Sequence, residues 1–121
     1  MKITDRKQIK DILFIVLAIA SKDGIISSTE LNTAQKEFNE IFDAKLSDED
    51  ISQTLKEFFS SNDQLEDYLN KIEDKELRKS ILQLSVICAA SDGFDIKENI
   101  AYKKSLVIWN FSHTDIMKPN E

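Results

Sequence analysis

Glycine and proline are almost missing from this chain. Two glycines and one proline serve 121 residues, and Pro119 falls beyond the last apolar run. A fold of many short strands needs such residues at its turns, so their scarcity excludes that class and favours helices. Cysteine is nearly absent too. Cys88 stands alone inside the apolar run 81–90, so no disulfide can form within the chain and the residue reads as a small buried hydrophobe, compatible with a reducing compartment. With His113 as the single histidine there is no His–His zinc motif, and a hard metal site is left to carboxylates and carbonyls. Basic blocks are lacking: 22 acids face 16 bases, for a net charge of -6, so no row of phosphates is matched and nucleic acid is not an expected partner. The one basic bias, Lys2, Arg6, Lys7 and Lys10, is diluted by Asp5 and Asp11 and reads as a solvated helix face. Neither apolar run, 12–20 or 81–90, approaches the ~20 residues that span a bilayer.

The first of those runs follows basic residues and ends in Ala18-Ile19-Ala20, which imitates an export signal with its cleavage site. A similar stretch recurs in mid-chain, where an export signal has no place and a repeated core helix does. Both runs are therefore assigned to the core of one domain over residues 1–121.

What is present is helical periodicity with readable starts. Ser, Asp or Asn precedes each periodic stretch, often with an acid or amide three residues on: Asp5 with Gln8, Ser27 with Glu30, Ser47 with Asp50, Asp95 with Glu98, Ser112 with Asp115. The predicted helices cover 5–21, 28–42, 48–60, 63–72, 75–91, 96–110 and a short segment from 113, an all-α bundle of about seven helices. Apolar stripes such as Leu31, Ala34, Phe38, Ile41 and Phe42 give the outer helices one buried face each. The runs 12–20 and 81–90 are apolar on nearly every side, which predicts central helices.

An internal repeat organises the bundle. Aligning Asp23-Gly24 with Asp92-Gly93 sets Ile12 against Ile81 and Leu13 against Leu82, so the halves 9–42 and 77–111 each read as apolar helix, Asp-Gly turn, capped helix about a pseudo-twofold. The linker of the second half, if it runs to Asp95 and Glu98, is one residue shorter than the first.

Gly24 and Gly93 are the only glycines, and both fall where a left-handed residue would terminate a long helix. Two readings of the turns stand. In one, Asp23 and Asp92 are ordinary turn residues and the acids are caps. In the other, the turns meet at one end of the bundle, and Asp23, Glu30, Asp92 and Glu98 offer oxygens to Ca²⁺ or Mg²⁺. An aspartate at a helix C-terminus faces the negative end of the macrodipole, a poor choice for a cap alone. The EF-hand is rejected. Asp23, Gly24 and Glu30 match the closing half of its loop, but Ile19 and Ser21 stand where its first ligands belong.

The stretch Ala20-Ser-Lys-Asp23-Gly24-Ile-Ile-Ser-Ser-Thr-Glu30-Leu31, entered from an apolar helix, resembles the TerB tellurite-resistance domain, and Ala89-Ala90-Ser91-Asp92-Gly93 is similar to its second signature. The same helical domain occurs at the N-terminus of the membrane-anchored co-chaperone DjlA and in small bacterial proteins. The resemblance covers 9–116. It implies a compact helical fold and a cytoplasmic module of bacterial stress, tellurite resistance or defence. It also implies metal binding at the acidic positions and a protein partner in a membrane-associated complex. Asp23, Glu30 and Asp92 match by position. Glu98 departs, because Asn99 holds the place equivalent to Glu30.

An enzyme is not expected. No Gly-rich elbow or phosphate loop occurs, the one imidazole is near the C-terminus, and runs such as Glu66, Asp67, Lys71, Asp74, Lys75 and Glu76 read as solvated surface. The aromatic residues are assigned to the core except Trp109. It stands off the phase of Ile100, Lys104, Val107 and Phe111, which makes it the candidate for a partner surface. The competing function is a protein-interaction scaffold with no metal.

Overall fold

A computed structural model describes residues 3, 5–21, 26–91, 93, 96 and 99–118. Its elements are all helical: α1 (Arg6–Ala20), α2 (Ser28–Phe42), α3 (Asp48–Ser60), α4 (Leu65–Leu69), α5 (Lys75–Ala90), α6 (Ile100–Trp109) and α7 (His113–Met117). Among the described residues there is no strand.

Composition decides which helices are central. In α1, Ile12 to Leu17 are all buried, along with Ile19 and Ala20, so the helix is enclosed on nearly every side. α5 buries Leu77, Ile81, Leu82, Leu84, Cys88 and Ala89, with Ser80 and Ser85 among them; Ser85 sends its hydroxyl back to the Ile81 carbonyl at 2.8 Å. α1 and α5 pack along each other. α2 lies on α5, α3 and α4 lie on α1, α6 spans α4 and the central pair, and α7 closes against α5. One apolar cluster runs through the bundle, with Phe38 and Phe42 of α2, Tyr68 and Leu69 of α4, Tyr102 and Trp109 of α6 and Ile116 of α7 joining the central helices. Phe14 meets the rings of Phe58 and Tyr68 edge-on at 5.7 and 5.1 Å. No helix among the described residues is long and apolar enough to cross a membrane.

Local chemistry sets the helix starts. Ser27–Glu30, Ser47–Asp50 and Ser112–Asp115 are complete capping boxes. Asp5 caps α1 through the Lys7 amide alone, and Asp74 caps α5 through the Leu77 amide. The ends depart from expectation. α1 stops at Ala20 with an extended Ser21 (φ -68°, ψ 140°), so the helix is already finished before Gly24, which lies outside the described residues. Gly93 does take the left-handed conformation (φ 79°), its amide donating to the Ala90 carbonyl just past α5. α2 and α6 are ended by left-handed Asp43 and Asn110 (φ 50° and 58°), where short polar side chains stand in for glycine.

Helix α6 departs furthest. Its N-cap is Asn99, whose Oδ1 accepts from the Tyr102 amide at 2.8 Å, so the helix starts four residues later than the expected Ile96. The second linker is accordingly longer than the first, and Glu98 precedes a cap instead of following one as Glu30 does. The helix is also turned the other way: Trp109 is buried at 5% exposure and Ile100 and Val107 face solvent. The Trp109 indole N–H donates to the Leu69 carbonyl at 3.2 Å and the Arg78 guanidinium covers its ring at 5.4 Å. Trp109 is therefore a core anchor between α4 and α6, and the partner-surface expectation for it is corrected.

Candidate functional site

The site builds from the first turn of α2. The Glu30 amide donates to Ser27 Oγ at 3.1 Å, and the Ser27 amide donates to Glu30 Oε1 at 2.9 Å. Two orphan amides of the helix start are thereby satisfied, which accounts for one carboxylate oxygen. The other is unaccounted for. Glu30 is only 2% exposed, and its Oε2 is buried with no hydrogen-bond partner among the described residues. An acceptor left unmatched away from water costs about 1–3 kcal/mol, and more if it is charged.

Two observations locate this end of α2 in the bundle. Cys88, in the last turn of α5, has its thiol pushed up to about 12, first by burial and then by the charges of Glu30 and Glu37 on α2. Asn99 at the start of α6 donates from Nδ2 to the Ile19 carbonyl, in the last turn of α1, at 2.6 Å. The C-terminal ends of α1 and α5 and the N-terminal ends of α2 and α6 thus gather at one end of the bundle. Helix N-termini bring partial positive charge there and helix C-termini bring free carbonyls. The described flanks of both Asp-Gly linkers, Ser21 with Ser27 and Ser91 with Asn99, belong to this end, and the Ser21 and Ser91 hydroxyls turn back onto the Ala18 and Cys88 carbonyls.

Of the residues singled out by sequence, Glu30 and Gly93 are placed here. Asp23, Gly24, Asp92 and Glu98 lie outside the described residues. Among the described residues no group of three or more His, Cys, Asp or Glu side chains is arranged to hold a metal ion. Of the acids named from the sequence as cation ligands, Glu30 is the one with a described position, and its Oε2 could offer a hard oxygen at this end.

Two other polar arrangements were not anticipated. The buried Tyr102 hydroxyl lies 2.8 Å from His113 Nδ1, and burial pushes the phenol up to about 12, which ties the one imidazole to a neutral partner between α6 and α7. A cavity of about 750 Å³ opens between the start of α1, the loop after α2 and α3; among its lining residues, Arg6 pairs with Asp50 at 3.7 Å and Lys10 with Glu57 at 2.8 Å. The two partners in each pair stand 44 and 47 positions apart in sequence, and no local pattern announces their meeting. Comparison with protein-family models, with curated proteins and with solved structures finds no match to this chain.

Proposed function

We propose that the chain is a non-enzymatic, TerB-like accessory module of a bacterial stress or defence system, acting by binding and holding a divalent cation where its two acidic turns meet. The observation that carries this reading is the buried Oε2 of Glu30, unmatched among the described residues, at the end of the bundle from which both linkers run. A cap needs one oxygen of that carboxylate; a hard cation gives the second a purpose. The resemblance of the two Asp-Gly segments to the TerB signatures supports the same assignment.

Thermal melts of metal-stripped protein, with and without Ca²⁺ or Mg²⁺, test it. A cation at about a hundred times its Kd stabilises the folded state by about 2.7 kcal/mol, which raises the Tm by several degrees. Glu30→Gln keeps an acceptor for the Ser27 amide, and the double variant Asp23→Asn with Asp92→Asn removes one carboxylate from each linker; each is expected to lose the cation-dependent rise. An unchanged metal response in both would place the site elsewhere.

A second reading, an interaction scaffold without metal, is favoured by a separate observation. Ile100 and Val107 stand 81% and 80% exposed on the outer side of α6.

A further inference from the structure

We infer that the solvent-facing side of α6 is a docking surface for an acidic amphipathic helix of another protein. This inference goes beyond the cation reading and does not depend on it. α6 is apolar on both sides. Tyr102, Ser105 and Trp109 face the core, and on the opposite side Ile100 and Val107 lie one above the other, two turns apart, with Ile108 exposed beside them. A helix apolar all round is normally enclosed. Here one side is left uncovered, and its two central aliphatics are the most exposed large apolar residues described.

Charge selects the occupant. From residue 99 to residue 111 there is no acid, and Lys103 and Lys104 flank the apolar stripe, although the chain as a whole carries a net charge of -6. Lys104 is held by Glu66 of α4, and Lys103 pairs with no acid among the described residues. The surface is thus apolar along its stripe and carries one lysine uncompensated among the described residues, Lys103, at its border, the complement of a helix with aliphatics on one stripe and an acid beside it. A second copy docked α6 to α6 would set lysines against lysines. An anionic bilayer is matched by clusters of four to eight basic residues; two lysines on a ten-residue helix of an acidic protein fall short of that. The stripe is short, so the contact belongs to the small, transient class of interface.

The test uses the full chain and a synthetic peptide of about 18 residues, long enough to form helix, with leucines at i, i+4, i+7 and i+11 and glutamates beside them. A second peptide carries lysine in place of every glutamate. Fluorescence-anisotropy titrations are run in EDTA, so that failure of cation binding and failure of docking are read separately. The acidic peptide is expected to bind and the basic one not to. Val107→Ser combined with Ile100→Ser should weaken binding about tenfold or more, and Lys103→Glu several-fold with loss of the salt dependence. Both apolar positions are solvent-exposed, so circular dichroism of these variants should match the parent. Equal binding of the two peptides, binding that ignores the α6 substitutions, adsorption to phosphatidylserine vesicles through α6, or self-association abolished by Val107→Ser would each overturn the inference.

Discussion

Glu30 does two things with one carboxylate: Oε1 closes a capping box and Oε2 stays buried without a partner among the described residues. The capping half was legible from Ser27 and its spacing; the burial was not, because it arises from packing α2 against the end of α5. Cys88, across that contact, gives a prediction at the same scale. Its thiol is raised from an ordinary 9.0 to about 12, and the Tyr102 phenol from 10.0 to about 12. Above about pH 9 the unfolded chain releases these protons while the folded one keeps them, so the unfolded state binds fewer protons and stability falls as pH rises. Melts should hold up to about pH 8 and drop progressively above about pH 9, with Cys88→Ala delaying the onset. Thiol reagents should reach Cys88 only on unfolding. Trp109, the one tryptophan, should emit at short wavelength in the folded state. Trp109→Phe removes one of two hydrogen bonds to the Leu69 carbonyl, which keeps the Ile72 amide, and should cost about 0.5–1.5 kcal/mol in a denaturant titration followed by circular dichroism.

At the scale of the element, starts were easier to read than ends or rotations. The boxes at Ser27, Ser47 and Ser112 are local chemistry, written in residues three apart, and the helices follow them. α6 shows the limit. Asp95 and Glu98 imitate a box, yet Asn99 is the cap, because its side chain also reaches across to Ile19 in α1, a contact spanning 80 residues that no local pattern encodes. The rotation of α6 was misjudged for a related reason. Two apolar stripes compete on the helix, and Trp109 with Tyr102 wins because each finds a polar partner inside, Leu69 and His113. Asn99→Ala loses both the cap and the donor to Ile19 and should be less stable than the parent by about 0.5–2 kcal/mol, the usual worth of a cap, as measured by denaturant midpoint. Ser47→Ala should cost about 1 kcal/mol. Asp50 has its carboxyl lowered first by the Ser47 amide, then by the Ser47 hydroxyl. The stability it adds is present above the ordinary carboxylate range and is lost as pH falls through the lowered value; Ser47→Ala keeps the amide and removes only the hydroxyl, so it should weaken the acid limb of the melt profile only in part.

For the whole molecule, an all-helical bundle around two apolar helices was readable from the scarcity of glycine and proline and from the runs 12–20 and 81–90. Surface ion pairs add little to it. Arg6–Asp50 and Lys10–Glu57 tie α1 to α3, but both pairs are exposed to solvent, which screens them. The candidate site was legible only as a set of acids and turns. That both linkers begin and end at one end of the bundle follows from Glu30 lying near Cys88 and from Asn99 reaching Ile19, pairings that depend on tertiary packing. The direct measurement is calorimetric titration of metal-stripped protein with Ca²⁺ and Mg²⁺, beside the Glu30→Gln variant. Saturable binding with near-unit stoichiometry, lost in Glu30→Gln, is the expected result. Flat titrations of the parent protein with both ions would contradict a cation site at the acidic turns.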